Sequence, residues 1–419
     1  MKKQGQVADL VCANPSQTTR LDLLSITVFA VVFVLVILGV QSVSAQTYTA
    51  LNGFAGNDHE VGLGKVLSSA YGGQIYGFDI NQNGTDGIIT EALQLSNGGL
   101  KSAVETFDLK TGKITKIVKT LVSPTASEEL FADGIAGNDV ALIDEERVTI
   151  KNGHVSRDDL FFVMNPVSGG KITGPWTPPN PKNSVFWQLA PNQTTDTQVA
   201  AVFRDAFSSD VPWLYVSDIA TNTFLNFIRV KGVSTLAQDT TTNEAVTASA
   251  NTGGGEGDAG KVVLVNLTTG KTREFKQFNN GLYGAGYVDG LAVDSNTGIV
   301  CITTEINAQV AFYKLSNGTG VWVQLPNTGP DSELNSGWVV ANDPLHRLFL
   351  VTQPYTSTGS SGSSIDVYDE TGNLIEDING FNFENANYPP NVLKIVVNPS
   401  LRIGWVNGPN GNQIQQFFY

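Results

Sequence analysis

Two cysteines and three histidines in 419 residues leave this chain short of the side chains that build most catalytic and soft-metal sites. Cys12 precedes an apolar run, and Cys301 lies far downstream in Gly298–Ile302. Removal of a leader would leave one thiol and no intramolecular disulfide, so an exported fold would rest on its core. A lone cysteine inside an apolar run reads as a buried structural thiol. His59, His154 and His346 stand far apart in sequence, which argues against zinc and against a Ser–His or Cys–His catalytic pair. No GxSxG elbow is present either. Positive charge is also scarce: 25 Lys+Arg face 39 Asp+Glu, a formal net charge of −14. Nucleic acid and anionic membrane both require clustered basic groups, so neither is expected as a partner.

Turn residues, by contrast, are plentiful. Glycine numbers 43 and only 15% of residues are charged, the balance of a turn-dense β protein. The N-terminus reads as an export signal. Lys2, Lys3 and Arg20 precede the apolar stretch Leu23–Val40, and the small residues Val43 and Ala45 define a cleavage site before Gln46. The stretch also reaches the minimum length of a membrane span, so an uncleaved anchor with its basic side in the cytoplasm is the other reading. Residues 1–45 are thus signal peptide or anchor, and 46–419 form a single domain. That domain is expected outside the cytoplasm, periplasmic or extracellular, or held to the membrane by residues 23–40.

A short hairpin signature recurs six times: DLKTGK (Asp108–Lys113), NPVSGGK (Asn165–Lys171), DIATNT (Asp218–Thr223), NLTTGK (Asn266–Lys271), KLSNGT (Lys314–Thr319) and DETGN (Asp369–Asn373). Each lies between alternating apolar runs, at a spacing of about 50 residues, the period of a β-propeller blade. A second element precedes most of them, an apolar strand, a turn opening with Asp or Asn, then another apolar strand. It is clearest in LAQDTTTNEAVTA, LAVDSNTGIVCIT, VVANDPLHRLFLV and IVVNPSLRIGWV, which align at Asp239, Asp294, Asp343 and Asn398. Asp and Asn suit such corners because they accept from nearby backbone N–H groups and tolerate left-handed conformations.

The period divides residues 46–419 into about seven units. The expected fold is therefore all-β, a seven-bladed β-propeller of four-stranded antiparallel blades. Six hairpins for seven blades imply a split last blade. NQIQQFFY (Asn412–Tyr419) reads as a third strand with nothing after it, and TYTALNGF (Thr47–Phe54) resembles the fourth-strand end LIEDINGF (Leu374–Phe381). Pairing of the two termini would close the ring and remove an open edge. The hairpins and their spacing resemble the YVTN, NHL and gluconolactonase-type repeat propellers over the whole of residues 46–419.

Two segments are candidate metal sites, each by resemblance to a known metal-binding segment. DINQNGTDG (Asp79–Gly87) resembles the DxDxDG calcium loop of integrin-type propellers, with Asp79, Asn81 and Asn83 as side-chain ligands and the Thr85 carbonyl following. An Asn- and Gly-rich turn explains the same residues without metal. The second is the channel mouth. Asp133-Gly134 and Asp289-Gly290 open first strands, and VDGLAVD (Val288–Asp294) is similar to the segment that supplies a metal-binding Asp in gluconolactonase-type propellers. That resemblance implies Asp133, Asp289 and Asn391 as ligands of Ca2+ or another divalent cation, in a lactonase- or esterase-like hydrolase. The family's Glu-Gly-Pro segment is absent here.

Aromatic residues in or beside the loops, Trp176, Tyr355 and Tyr388 among them, suit stacking against a sugar or peptide. The leading expectation is a monomeric, exported binding or scaffold module that engages a protein, peptide or glycan through its upper-face loops. The metal-dependent hydrolase is the alternative.

Overall fold

The computed structural model describes residues 61–81, 84–123, 128–136, 140–151, 154–165, 173–176, 184–191, 197–204, 213–218, 223–230, 233–249, 262–275, 288–304, 309–326, 339–353, 363–381, 394–407 and 411–419. For part of the strands between 128 and 249, and for Asp289, only the backbone is described. The chain divides into two compact units, Met1–Phe54 and Ala55–Tyr419, and every described residue belongs to the second.

The described residues form seven four-stranded antiparallel sheets. β1 (Gly62–Ser68) stands alone at the start. The first complete sheet is β2 (Gln74–Ile80), β3 (Asp86–Gln94), β4 (Leu100–Asp108) and β5 (Lys113–Ser123). The second is β6 (Glu128–Ala136), β7 (Val140–Lys151), β8 (His154–Met164) and β9 (Thr173–Trp176). The third is β10 (Ser184–Pro191), β11 (Thr197–Arg204), β12 (Trp213–Asp218) and β13 (Thr223–Arg229). The fourth is β14 (Val233–Asp239), β15 (Glu244–Ser249), β16 (Val262–Asn266) and β17 (Thr272–Glu274). The fifth is β18 (Val288–Asp294), β19 (Ile299–Thr304), β20 (Gln309–Lys314) and β21 (Gly320–Gln324). The sixth is β22 (Val340–Asp343), β23 (Leu348–Gln353), β24 (Ser363–Asp369) and β25 (Leu374–Phe381). The last three strands are β26 (Ile395–Asn398), β27 (Ile403–Asn407) and β28 (Gln413–Phe418), and β1 completes their sheet by pairing with β28.

Each repeated signature falls where its chemistry places it. The six hairpin motifs join the third and fourth strands of the first six sheets. At Asn266–Lys271, Asn266 Oδ1 accepts from Thr269 N at 2.8 Å, and Gly270 takes a φ of 69°, which glycine adopts without a Cβ clash. The Asp or Asn corners join first and second strands. Asp294 Oδ1 accepts from Asn296 N at 2.8 Å, Asp343 Oδ1 from Leu345 N and His346 N at 3.0 and 2.9 Å, and Asn398 Oδ1 from Leu401 N at 3.0 Å. The left-handed residue of these turns is not the corner itself. It lies four residues on, at Asn243, Gly298, Arg347 and Arg402.

The core is divided among the seams between consecutive sheets. Leu291, Val300 and Ile302 of the fifth sheet pack on Ala237, Val246 and Leu264 of the fourth. On its other face, Cys301, Val310 and Phe312 meet Phe349, Val351 and Tyr368 of the sixth. Cys301 is thus the buried thiol its apolar setting implies. Sheets of alternating residues buried on both faces in this way make a propeller arrangement of four-stranded blades. First strands neighbour one another from β2 through β6, β10, β14, β18 and β22 to β26, and β26 in turn neighbours β2.

β1 departs from the expected closing strand. The partner of β28 is GLGKVLS (Gly62–Ser68), paired from Gly62 opposite Phe418 to Ser68 opposite Gln413. The other edge of β28 is taken by β27. A strand has two hydrogen-bonding edges, so no edge of β28 remains for TYTALNGF, which itself lies outside the described residues.

Candidate functional site

The first strands carry a repeated irregularity at one level, five residues before the corner that leads to the second strand. In five of them one residue is left over between paired positions. It is Tyr76 in β2, Asp133 in β6, Trp187 in β10, Ser234 in β14 and Asp289 in β18. Such β-bulges bend the strand and re-aim the extra side chain. Threonines on the second strands brace the carbonyl beyond the extra residue: Thr90 Oγ1 donates to the Gly77 carbonyl at 3.5 Å and Thr303 Oγ1 to that of Gly290 at 3.4 Å. Just before β22, the Val339 carbonyl accepts from Thr352 Oγ1 of β23 at 3.3 Å. Asp133 and Asp289, expected at a channel mouth, therefore share one register level in the second and fifth sheets. Asn391, Tyr355 and Tyr388 lie outside the described residues, and Trp176 ends β9 opposite Phe161.

The DINQNGTDG segment is the turn from β2 to β3. Asp79 lies in β2 and is buried; its Oδ1 accepts from Ile80 N at 2.8 Å and its Oδ2 stands 3.3 Å from Lys394 Nζ. Asn81 is the buried corner of the turn, and its carbonyl accepts from Asn398 Nδ2 at 3.0 Å. The Thr85 carbonyl accepts from Leu109 N at 2.6 Å. Asn83 lies outside the described residues. Asp79 occupies the place held by Ala237, Ala292 and Ala341 in three other first strands.

Buried carboxyl groups in neighbouring pairs were not anticipated. Glu91 in β3 and Glu105 in β4 are both fully buried. They receive the loop between β1 and β2: Tyr71 N and Gly73 N donate to the two Glu91 oxygens at 2.8 and 2.7 Å, and Ala70 N donates to Glu105 at 3.1 Å. Burial, then the hydrogen bond and charge of Glu91, push Glu105 up to about 8. Burial would raise Glu91 too, but hydrogen bonds from Glu105, Tyr71, Ser69 and Gly73 outweigh it and hold that carboxyl below its usual range. A second pair joins adjacent sheets. Glu370, in the hairpin after β24, accepts from Thr297 Oγ1 and from the Arg347 guanidinium and faces Asp294. Burial and that neighbour push Asp294 up to about 7. The third pair is Asp366 and Asp377, opposite each other on β24 and β25. Burial first, then Asp377, push Asp366 up to about 8. The sequence signal for the first and third pairs was an acid on the inward side of an apolar run, as in IITEALQ, SAVETFD and SSIDVYD, whereas Asp294 ends β18 at its corner and Glu370 lies in a turn.

Among the described residues no group of three or more His, Cys, Asp or Glu side chains converges as a metal centre. No described helix is long and apolar enough to cross a membrane, and Leu23–Val40 lies outside the described residues.

The sheets and their order define a β-propeller arrangement. No protein-family model matches the chain, and no curated protein sequence does. Among solved structures it is similar to the crystal structure of Raptor from Chaetomium thermophilum, at 12% identity and a TM-score of 0.50. That likeness covers 86% of this chain and 29% of the Raptor chain, so this chain spans under a third of the length of that neighbour. At such identity the likeness speaks to fold alone.

Proposed function

We propose that residues 46–419 form a seven-bladed propeller, closed by β1 in the last blade, that acts outside the cytoplasm as a monomeric binding module for a peptide or glycan. The observation that carries this reading is the bulge level of the first strands. The backbone device there is the same in five sheets, yet the residue placed on it changes from Tyr76 to Asp133, Trp187, Ser234 and Asp289. Further along the strands the residue is instead a repeated alanine, at Ala237, Ala292 and Ala341. A constant backbone bearing varied aromatic, acidic and hydroxyl groups suits recognition of a polar, partly stackable ligand. Closure is supported by the β1–β28 pairing and by the seam where Trp405 of β27 packs edge-on against Phe107 at 5.4 Å. Export rests on the leader-like residues 1–45.

The test is to screen the full chain against glycan and peptide arrays and to titrate the best ligand into Trp187→Ala, Tyr76→Phe and Asp289→Asn variants. The reading expects at least one of these folded variants to lose about tenfold or more in affinity, a factor worth about 1.4 kcal/mol. Unchanged affinity in all three would place the ligand elsewhere and overturn it. N-terminal sequencing of the exported protein tests the leader, with a start at Gln46 expected.

A further inference from the structure

Seven strands stand at the edge of their sheets opposite the first strand: β1, β5, β9, β13, β17, β21 and β25. An edge strand offers unpaired N–H and C=O groups to other chains, and proteins blunt such edges with charge, proline or a cover. Six of the seven carry a charge or a proline: Lys65 in β1, Lys116 in β5, Pro175 in β9, Arg229 in β13, Arg273 in β17 and Glu376 in β25. β21 (GVWVQ) carries neither, and Val321 in it is 44% exposed. The edge of the fifth sheet therefore lacks the protection that the other sheets have.

The hairpin that leads into β21 is also the odd one of its kind. The other five open with Asp or Asn, whereas KLSNGT opens with Lys314 and carries its polar pair later, at Asn317 and Thr319. Asn317-Gly318-Thr319 is an Asn-x-Thr sequence, the acceptor signal for an N-linked glycan. Both Asn317 and Thr319 are exposed. Thr319 N and Thr319 Oγ1 donate to Asn317 Oδ1 at 2.9 and 2.8 Å, and Asn317 Nδ2 donates to none of the described residues. Three further Asn-x-Thr sequences open at Asn83, Asn192 and Asn266. Asn83 and Asn192 lie outside the described residues. At Asn266 the arrangement differs. That residue is half-buried, its Oδ1 accepts from Thr269, and the Thr268 hydroxyl accepts from Asn243 Nδ2 at 2.8 Å. Asn226 of the third sheet also donates to the Leu267 carbonyl, at 2.9 Å.

We propose that Asn317 is an N-glycosylation site whose glycan covers the uncharged edge β21. The site rests on the export reading above, because its co-reactant, a glycan carried on a lipid diphosphate, belongs to the secretory route. In the transfer, Asn317 Nδ2 forms a bond to the anomeric carbon of that glycan, and the bond from this carbon to the diphosphate oxygen breaks. The lipid diphosphate leaves with the electron pair, the amide gives one proton to a base of the transferase, and nothing is oxidised or reduced. The polar bulk of the sugar then does for β21 what charge or proline does for the other edges. The hairpin lies beside the turn that follows Asp294, where Leu315 N donates to the Gly298 carbonyl at 2.9 Å. Asp289 lies five residues before that corner. A glycan at Asn317 therefore stands at the end of the fifth sheet away from the bulge level and leaves a ligand there unobstructed.

The experiment is to express the full chain with its own leader in a secretory host that performs N-linked glycosylation and to recover the exported protein. Its peptides are mapped by mass spectrometry before and after peptide-N-glycosidase, which leaves Asp at each Asn that held a glycan. Conversion at Asn317 and none at Asn266 is expected. Asn317→Gln and Thr319→Ala should each run lighter by one glycan on a gel, and Thr319→Ser should keep it. Light scattering reads the cover: Asn317→Gln should self-associate at concentrations where the parent is monomeric, and adding Val321→Lys should return it to monomer. An exported chain without a glycan at Asn317, or with one at Asn266 in its place, overturns the site. A chain retained in the cytoplasm overturns the export reading and the site with it. An Asn317→Gln chain as monomeric as a glycosylated parent overturns the cover of β21.

Discussion

Lys394 Nζ stands 3.3 Å from Asp79 Oδ2, an ion pair between the first complete sheet and the sheet that β1 shares with the C-terminus. The two residues are 315 positions apart. The pair lies at the seam where Asn398 also donates to the Asn81 and Gly84 carbonyls, at 3.0 and 2.7 Å. Polar contacts thus reinforce the hydrophobic seam formed by Phe78, Phe107, Val396 and Trp405. Contacts between residues so far apart in sequence are non-local, the kind that slow folding.

The first prediction concerns that pair. Lys394→Ala removes the cation beside the buried Asp79 carboxylate, with a cost of about 1–3 kcal/mol. Asp79→Ala combined with Lys394→Met should recover most of the loss, because three other first strands carry alanine at this place and pack well with it. Urea denaturation of the single and double variants measures the difference. A double variant no more stable than Lys394→Ala would show that the pair is needed for more than mutual compensation.

The second prediction is a pH dependence. Glu105 is raised to about 8 and Asp294 to about 7 in the folded chain, against about 4 for carboxyl groups in an unfolded chain. Between those values the folded state holds protons that the unfolded state has released. Stability therefore falls as pH rises, and the contribution is lost as pH passes through about 7 to 8. Glu91, held low, acts in the opposite sense: its contribution is present at neutral pH and is lost only as pH falls into the acid range. Melting temperature should decline from about pH 5.5 to about pH 9. Glu105→Gln, which keeps the shape without a titrating group, should flatten the alkaline arm. An alkaline decline of unchanged steepness in that variant would remove Glu105 as its cause.

The four-stranded hairpin unit was legible in the sequence because its turns have strict chemistry. A carboxylate or amide that accepts from the next N–H groups, followed by a residue able to take positive φ, leaves a mark in composition at every repeat. The strand that pairs with β28 left no such mark. GLGKVLS and TYTALNGF are both short and only partly apolar, and alternation tells that a segment is a strand without telling which edge it meets. The carboxyl pairs were hidden for a related reason. Period-2 spacing places Glu91 and Glu105 inward, but only the register of β3 against β4 shows that they become neighbours. Asp289 was legible near a strand opening, whereas Asp133 lies well inside β6, and the bulge that both share with Tyr76, Trp187 and Ser234 exists only in the pairing of strands.

The third prediction rests on the C-terminal residue. Tyr419 is buried, and its hydroxyl donates to Asp343 Oδ2 at 3.0 Å across the seam to the sixth sheet. His346 Nδ1 shares that carboxylate at 2.7 Å. Tyr419→Phe keeps the ring packed on Phe417 and removes one hydrogen bond to a buried acceptor, a loss of about 1–2 kcal/mol. Deletion of Tyr419 also removes the ring and should cost about 3 kcal/mol or more, by analogy with large-to-small core changes. Equal stability of the Phe variant and the parent would mean that His346 and the turn N–H groups satisfy Asp343 by themselves.

The last prediction comes from glycines that face buried aromatic rings. Gly404 in β27 pairs with Phe417 in β28, and Gly87 in β3 pairs with Phe107 in β4. A Cβ on Gly404 would lie 2.0 Å from the Phe417 ring, and one on Gly87 would lie 2.4 Å from that of Phe107. Neither glycine has positive φ, so what each supplies is room for a ring that lies flat over the neighbouring strand. Gly404→Ala should therefore destabilise by about 1–3 kcal/mol through overpacking, despite the entropy alanine would save in the unfolded chain. Phe417→Leu alone should also destabilise, because it leaves a gap against Phe381 and Tyr419. The two together should fall short of the sum of their separate effects, because the smaller side chain vacates the volume that the new methyl needs. A double-mutant cycle read by urea denaturation decides it. Strict additivity would place the strain of Gly404→Ala in the backbone and not against the ring.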